Sequence, residues 1–321
     1  IVDYAVASDL DVIVYFGWWN PSQPWQIPWL DYAKSRWGNR FLGVYLNDEQ
    51  GGIQLDANWT GYFSRLRQRN DPQYRLHSSG IEHILNDTLP RDYDDAAAHY
   101  LSYVRNYIGL DELKRRSITS FTSDYALYWF DYLGGYDTVL AQFGWNQSIT
   151  QEIALVRGAA YMQSKDWGAI ITWKYTQPPY LDSGEEIYQQ MLTAYQTGAK
   201  YVVIFNYPYI EGNPYGAMQE EHFEALKRLW KDMTSTGSAP ARRVSNAVVV
   251  LVLPKNYGWG MRAPNDVIWG HWGPDNKSLF IWENVQRLLE QYGSGLDIVY
   301  DETQFPVTGK YPQIFYWNYT G

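Results

Sequence analysis

The stretch FLGVYLNDEQGG, residues Phe41 to Gly52, decides the fold because it shows how a buried strand ends in a polar loop. Its first half is apolar and rich in aromatic and β-branched residues, which predicts a strand, and Asn47, Asp48 and Glu49 follow directly. Upstream, DVIVYFGWW predicts another strand, and PWLDYAKSRWG predicts a helix that ends at a glycine. Strand, helix and strand in this order indicate a βαβ unit with parallel strands.

The same alternation continues towards residue 240. Strands are predicted for SITSFTSDYALYW, DTVLAQFGW, GAIITWKY and KYVVIFNYP, with helical segments between them. Six strands that alternate with helices predict an α/β fold whose parallel sheet is covered on both faces. An eight-stranded barrel requires two more strands, either upstream of Ile1 or within residues 74–85.

A second pattern begins after TSTGSAPARR, a stretch with the composition of a linker. NAVVVLVLP predicts a buried strand, SLFIWENVQRLLEQYG a helix, and LDIVYDE and QIFYWN two further strands. We therefore predict a barrel-type domain over residues 1–240 and a small α/β domain over residues 241–321. The alternative, in which NAVVVLVLP is the last strand of the barrel, stays open.

Composition excludes several classes of function. A net charge of −9 argues against nucleic acid as a partner, because binding to phosphates requires clustered Lys and Arg. The absence of cysteine excludes disulfides and thiolate chemistry, and the five histidines have no metal-ligand spacing. We predict no metal and no cofactor. No run of about 18 apolar residues is present, so no transmembrane segment is predicted.

Aromatic residues are unusually abundant, with 16 Trp and 29 Tyr. These side chains combine an apolar face with a polar group, so they suit surfaces that are partly polar. Sugars present such surfaces, and so do protein interfaces.

Candidate binding residues follow nearly every predicted strand. They are Trp18, Trp19, Asn47, Asp48, Glu49, Asp124, Gln142, Trp145, Trp173, Lys174, Asn206 and Tyr207. Parallel α/β proteins bind ligands at the carboxyl ends of their strands. Rings that stack on sugar faces, amides that bind hydroxyls, and carboxylates that exchange protons predict a saccharide site.

One motif resembles a known family. LNDEQ at the end of a strand is similar to the Asn-Glu motif of (β/α)8 glycoside hydrolases, and a barrel followed by a small flavodoxin-like domain is similar to trimeric β-galactosidases. The resemblance implies a TIM-type barrel, whose two further strands lie either upstream of Ile1 or within residues 74–85, followed by a flavodoxin-like domain over 241–321. It also implies Glu49 as the general acid/base, with Asn47 or Asp48 beside a sugar hydroxyl.

The expected nucleophile of that family does not match this sequence. AIITWKYTQ, the strand that should end in a carboxylate, offers Lys174 instead. Asp124 and Glu211 are the nearest substitutes, so we predict Glu49, Asp48 and Asp124 as catalytic and the remaining candidates as substrate-binding. Asp48 and Glu49 could instead begin a helix, and Asp124 could be a buried hydrogen-bond anchor.

The predicted function is an exported glycoside hydrolase that cleaves an oligo- or polysaccharide. The alternative is a non-catalytic cell-surface protein that binds glycans, or a structural subunit that assembles through Arg262, Trp269 and Trp272 as a homo-oligomer. Sequons at Asn58, Asn86, Asn146, Asn276 and Asn318 favour an extracellular glycoprotein. Because the chain begins at Ile1, we also expect a processed chain or fragment that lacks a signal peptide.

Overall fold

A computed structural model describes residues 2–17, 26–57, 59, 90–107, 109–207, 210, 212–235 and 247–320. The chain divides into two compact units, and each is built from two stretches of sequence. The first unit comprises Ile1–Asp137 and Leu253–Glu283, and the second comprises Thr138–Val252 and Asn284–Gly321.

Strands and helices alternate through the first stretch of the first unit. The described elements are α1 (Val2–Ala7), β1 (Val12–Gly17), α2 (Gln26–Trp37), β2 (Phe41–Leu46), α3 (Gln50–Asp56), α4 (Tyr93–Tyr107), α5 (Leu110–Arg115), β3 (Thr119–Asp124) and α6 (Tyr128–Gly134). Strand β2 lies between β1 and β3 and runs parallel to both. The carboxyl ends of these strands therefore lie at one edge of the sheet.

Aromatic rings dominate the core of the first unit. Six of its largest fully buried side chains are Phe121, Tyr128, Phe130, Tyr136, Trp259 and Trp269. The ring centroids of Phe130 and Trp269 are 4.6 Å apart in an edge-to-face arrangement, and the indole Nε1 of Trp269 donates to the carbonyl of Asn256 at 2.9 Å. The polar group of this buried indole is therefore satisfied, as burial requires.

The chain beyond Asp137 repeats the alternation. Its described elements are β4 (Thr138–Phe143), α7 (Ile149–Met162), β5 (Asp166–Ile171), α8 (Gly184–Gln196), β6 (Tyr201–Ile204), α9 (Glu220–Thr234), β7 (Val249–Leu253), α10 (Asn276–Tyr292), β8 (Leu296–Tyr300) and β9 (Gln313–Tyr316). Strand β5 lies between β4 and β6 and is parallel to both. Strand β7 lies between β8 and β9 and is parallel to β9.

Local capping explains where two of these helices begin. The hydroxyl of Ser148 accepts the backbone N–H of Gln151 at the start of α7. At α8, the side chain of Ser183 accepts the N–H of Glu186, while the carboxylate of Glu186 accepts the N–H of Ser183. Such reciprocal bonds satisfy backbone donors that a helix leaves unpaired at its first turn.

The α/β class and the six strands before residue 240 are confirmed. One predicted strand is too long: SITSFTSDYALYW forms a strand only to Asp124, and α6 begins at Tyr128. Leu127 has a left-handed backbone with φ of 53°, which redirects the chain after the strand. Periodicity could not reveal this turn because aromatic residues continue through it.

The finer architecture stays a prediction. Residues 74–85, where a further strand was expected, lie outside the described part of the chain. The domain boundary at residue 240 also stays a prediction; residues on both sides of it belong to the second compact unit. Neither a complete barrel nor a flavodoxin-like domain over 241–321 is established.

Among the described residues, no helix combines the length and the hydropathy needed to cross a bilayer. Within the same residues, no group of three or more His, Asp or Glu side chains is arranged to hold a metal ion.

Candidate functional site

The turn that follows β2 carries the predicted acid/base residues. Asn47 and Glu49 both have left-handed backbones, with φ of 44° and 62°, and Asp48 lies between them. Left-handed conformations are unfavourable for residues with a Cβ and concentrate at functional sites. Asp48 and Glu49 are partly exposed, while Asn47 and Gln50 on either side are buried. The turn therefore presents two adjacent carboxyl groups to solvent.

Backbone and hydroxyl contacts fix this turn on both sides. The N–H of Asn47 donates to the carbonyl of Gly17 in β1 at 3.1 Å, and the N–H of Glu49 donates to Ser123 in β3 at 2.7 Å. The carbonyl of Asn47 accepts the hydroxyls of Thr122 at 3.0 Å and Tyr136 at 3.2 Å. These hydrogen bonds hold the turn in its strained conformation. Such strain persists in a folded protein only where the surrounding structure fixes the backbone in this way.

Asp124 anchors the first turn of α3. Its carboxylate is completely buried, and it accepts the backbone N–H groups of Gly51 at 2.5 Å and Gly52 at 2.8 Å. It also accepts those of Tyr125 at 2.8 Å and Ala126 at 3.1 Å. These contacts correspond to the anchor role that the sequence left open for Asp124. The residue lies beside the turn, but its oxygens are directed at backbone donors.

Two tyrosines share the electrostatic environment of Asp48 and Glu49. The rings of Tyr15 and Tyr45 are 5.4 Å apart, and the hydroxyl of Tyr45 forms a hydrogen bond with that of Ser123 at 2.5 Å. Burial raises the pKa of both phenols, and the negative charges of Asp48 and Glu49 raise it further. Both phenols therefore stay protonated and available as hydrogen-bond donors near the carboxyl groups.

The environment of Asp48 favours its protonated form. Burial raises the pKa of this carboxyl group above its ordinary value of 3.8, although a backbone hydrogen bond partly opposes the shift. Desolvation penalises the charged state of a carboxyl group, and it is a common way to prepare a general acid.

A group of aromatic side chains lies at the carboxyl ends of strands in the second unit. The rings of Trp145 and Trp173 are 6.4 Å apart, and those of Trp173 and Phe205 are 6.0 Å apart. The indole of Trp173 donates to the carbonyl of Tyr207 at 2.7 Å. Trp145, Phe205 and Tyr207 expose 42%, 36% and 62% of their surfaces, so these rings are accessible rather than core.

Two of the predicted binding residues in the second unit have polar partners in their own unit. The ammonium of Lys174 forms ion pairs with Asp182 at 2.7 Å and Glu186 at 3.2 Å. Hydrogen bonds raise the pKa of Lys174; the bond to Asp182 has the larger effect and the bond to Glu186 the smaller. Lys174 therefore remains a cation. Asn206 accepts the N–H of Met218 at 3.0 Å through its side-chain carbonyl.

The predicted residues thus fall into two sets. Asn47, Asp48, Glu49 and Asp124 come together in the first unit, whereas Gln142, Trp145, Trp173, Lys174, Asn206 and Tyr207 belong to the second. Gln142 is buried within β4. Trp18, Trp19 and Glu211, and the sequons at Asn58 and Asn86, lie outside the described residues. Asn146, Asn276 and Asn318 are exposed, and their glycosylation stays a prediction.

The interface residues expected from the sequence pack inside the first unit. Trp269 and Trp272 are buried, and Arg262 forms ion pairs with Asp56 and Asp266, each at 2.8 Å. Assembly through these three residues stays a prediction, and buried indoles do not support it.

Sequence reasoning missed three buried residues that interact electrostatically with Asp124. They are Asp131 in α6, Tyr100 in α4 and Tyr136, which lies just before β4. The hydroxyl of Tyr100 donates to Asp131 at 2.5 Å, and all three residues are buried. The available signal was an acidic residue inside the aromatic run YWFDY, because a carboxylate among aromatic residues must find a partner when buried.

Comparisons with known proteins leave the family open. No protein-family model matches the chain, and no curated protein matches it. One similar solved structure is the catalytic module of a family 98 glycoside hydrolase from Streptococcus pneumoniae TIGR4, in complex with the H-disaccharide blood group antigen. The TM-score is 0.49 at 12% identity, over 99% of this chain and 54% of that one. The chain spans about half the length of that structure, and similarity at this level supports no conclusion about function.

Proposed function

We propose that this protein cleaves O-glycosidic bonds in an oligo- or polysaccharide, with Asp48 and Glu49 as its acid/base carboxyl groups. The observation that carries the proposal is the strained turn after β2, which holds both carboxyl groups at the end of a parallel strand. Ligands of parallel α/β proteins bind at that edge of the sheet. Export and N-glycosylation at Asn146, Asn276 and Asn318 belong to the same proposal.

The chemistry requires one carboxyl group that delivers a proton and one that is ionised. We assign the first role to Asp48, because burial raises its pKa, which is the direction that a general acid requires. Glu49 is the neighbouring group for the second role, as nucleophile or base. Tyr15 and Tyr45 supply phenol donors for hydroxyls or for developing charge.

In the second unit, taken by itself, we propose that the exposed aromatic rings bind saccharide. Trp145, Trp173 and Tyr207 offer flat apolar faces with polar rims, which match the C–H face and hydroxyl rim of a pyranose. Asn206 and Lys174 provide an amide and a cation close to them in sequence. Asp124 is assigned a structural part, since its carboxylate already accepts four backbone donors.

Isosteric substitutions test the proposal. Asp48→Asn and Glu49→Gln should each lower kcat/KM for a cleaved glycoside by about 10²–10⁴-fold, the usual contribution of acid/base catalysis. Substrates would be screened by the release of reducing ends from a panel of polysaccharides and aryl glycosides. The matched controls, Asp301→Asn and Glu290→Gln, change exposed carboxyl groups elsewhere and should retain full activity.

The pH dependence gives a second test. Activity should fall as pH rises through the raised pKa of Asp48, because the ionised group no longer donates a proton. Full turnover in both Asp48→Asn and Glu49→Gln proteins with native circular dichroism would refute the proposal.

A second candidate is a glycan-binding protein without catalysis. The observation that favours it is Lys174, a cation held by Asp182 and Glu186 at the end of β5, where the family resemblance calls for a carboxylate. A glycan array that records binding while no reducing ends are released would select this candidate. Loss of binding in a Trp173→Ala variant, with Asp48→Asn unaffected, would further support it.

A further inference from the structure

Asp131 is a completely buried carboxyl group with an incomplete set of hydrogen-bond donors. Its Oδ1 accepts the hydroxyl of Tyr100 at 2.5 Å. Its Oδ2 is buried and has no donor among the described residues. A buried charged oxygen without a donor costs several kcal/mol, so this atom requires an explanation.

The neighbour that acts on Asp131 is Asp124, whose charge and side-chain hydrogen bond both raise the pKa of Asp131 beyond the effect of burial. Both oxygens of Asp124 already accept backbone donors, one from Gly51 and three from Gly52, Tyr125 and Ala126. Four such bonds stabilise the ionised form of Asp124. Two ionised carboxylates in contact within a buried site would repel each other strongly, so the pair must share a proton.

We propose that Asp131 carries this proton on Oδ2 and donates it to Asp124, which makes Asp131 a positioning residue for the turn that presents Asp48 and Glu49. The proton accounts for the oxygen that lacks a donor, and it removes one of two adjacent charges. It also leaves Asp124 as the carboxylate that the four backbone N–H groups require.

Asp124 is connected to the turn after β2 through a few backbone hydrogen bonds. Asp124 holds the N–H groups of Gly51 and Gly52, which begin α3 immediately after Glu49. Ser123, the residue before Asp124, accepts the N–H of Glu49 itself at 2.7 Å. A change in the charge or position of Asp124 therefore acts directly on the backbone that orients Glu49.

Among the described residues, three phenols interact electrostatically with the carboxyl pair. Tyr100 contacts it from α4, Tyr125 follows β3, and Tyr136 precedes β4; each pKa is raised, chiefly by burial. These three groups remain neutral at ordinary pH, so the pair retains its own net charge. Burial raises the pKa of both carboxyl groups above 3.8, and the charge of Asp124 raises that of Asp131 further.

The sign of the pH effect follows from this shift. Between pH 3.8 and the raised pKa, the unfolded chain releases the Asp131 proton but the folded chain keeps it. The contribution of this group to stability is therefore complete below pH 3.8 and is lost as pH rises. Over this range the folded chain holds one proton more than the unfolded chain, so the folding equilibrium constant falls tenfold for each unit by which pH rises.

Asp131→Asn is the direct test, because an amide reproduces the protonated carboxyl group without a proton to lose. Urea unfolding would be measured from pH 4 to pH 8 for the wild-type chain, Asp131→Asn and the exposed control Asp301→Asn. We expect the ratio of folding constants, wild type over Asp131→Asn, to fall about tenfold per pH unit until pH reaches the raised pKa of Asp131 and to level off above it, while the ratio to Asp301→Asn stays flat. Parallel curves for wild type and Asp131→Asn would overturn the proposal.

Two measurements on the full chain test the proton and the positioning separately. Infrared spectra recorded over the same pH range should contain a protonated-carboxyl band that Asp131→Asn removes and Asp301→Asn retains; a band that Asp131→Asn leaves unchanged counts against the proton. Hydrogen exchange of residues 50–56 should match wild type in Asp131→Asn and accelerate at least tenfold in Asp131→Ala. Equal protection in Asp131→Ala would refute the positioning role.

The inference rests on the proposed function only for its effect on catalysis. If glycoside cleavage is found, Asp131→Asn should keep kcat, and Asp131→Ala should lower kcat more than it raises KM. If no glycoside is cleaved, the unfolding, infrared and exchange results still decide whether Asp131 holds a proton and positions the turn.

Discussion

At the scale of single residues, the turn after β2 is unusual because backbone strain and partly buried carboxyl groups coincide there. Asn47 and Glu49 adopt left-handed conformations, and the carboxyl group of Asp48 between them has a pKa raised by burial. A chain selected for stability alone would place glycine at such positions. Left-handed residues also occur elsewhere in this chain, at Asp9, Ser117 and Ser164, so the catalytic part that we propose for Glu49 depends on its carboxyl group and not on backbone strain alone.

Glu49→Gly tests this trade between stability and function. Glycine adopts a left-handed backbone without steric cost, so the free energy of unfolding should rise by about 0.5–1 kcal/mol while glycoside cleavage is lost. Glu290→Gly is the matched control, because it lies inside α10 and should lower the free energy of unfolding by about 1 kcal/mol. Urea unfolding of the wild-type, Glu49→Gly and Glu290→Gly proteins measures the two changes in the free energy of unfolding. A destabilised Glu49→Gly protein would contradict the assignment of strain.

At the scale of elements, the first turn of α3 depends on two adjacent glycines. A Cβ on Gly52 would lie 2.0 Å from the ring of Tyr125, and one on Gly51 would lie 2.6 Å from the carbonyl of Ala126. Because neither glycine has a side chain, α3 approaches the end of β3 closely enough for Asp124 to bind the N–H groups of both. The glycine pair is therefore part of the mechanism that orients Glu49.

Gly52→Ala should destabilise the protein even though alanine favours helices. The clash with Tyr125 costs about 1–3 kcal/mol, which exceeds the helix-propensity gain of about 1 kcal/mol. Gly273→Ala is the control, because its Cβ would meet nothing within 4 Å and its backbone is not left-handed. Thermal and urea unfolding would compare the two variants. If Gly52→Ala matches wild type, the close approach of α3 to Tyr125 is incorrect.

At the scale of the whole molecule, each compact unit contains a buried polar network of its own. The first has Asp124 and Asp131. In the second, the guanidinium of Arg157 in α7 pairs with Asp297 in β8 at 2.7 Å, and both are almost completely buried. Asp297 also accepts the hydroxyl of Tyr311 at 2.8 Å, and Arg157 donates to the carbonyls of Ser294 and Leu296.

Arg157→Met should lower the free energy of unfolding by about 3–5 kcal/mol, because it leaves the buried charge of Asp297 without its cation. The double variant Arg157→Met/Asp297→Leu should recover most of that loss, since both buried charges are then removed. Arg228→Met, which breaks an exposed pair with Glu185, should change stability by less than about 1 kcal/mol. Urea denaturation followed by far-UV circular dichroism measures all three. Equal effects of Arg157→Met and Arg228→Met would contradict the buried network.

Sequence periodicity predicted most of the elements, because alternation and helical spacing are local properties of the chain. DVIVYFGWW, FLGVYLND and GAIITWKY all contain strands close to their predicted positions. The placement of Asp48 and Glu49 directly after a strand was also predicted, since it depends only on where one buried strand ends. The helix at Tyr128 was missed because a single left-handed residue, Leu127, decides it.

The sequence by itself determined the α/β class, the six strands before residue 240 and the position of two carboxyl groups at a strand end. Only the tertiary structure decided that Asp124 binds four backbone N–H groups, that Trp269 is buried, and that Trp145 is exposed. The physical reason is that strands and helices follow local hydrophobic spacing, whereas burial and the partners of polar groups depend on segments that are distant in sequence.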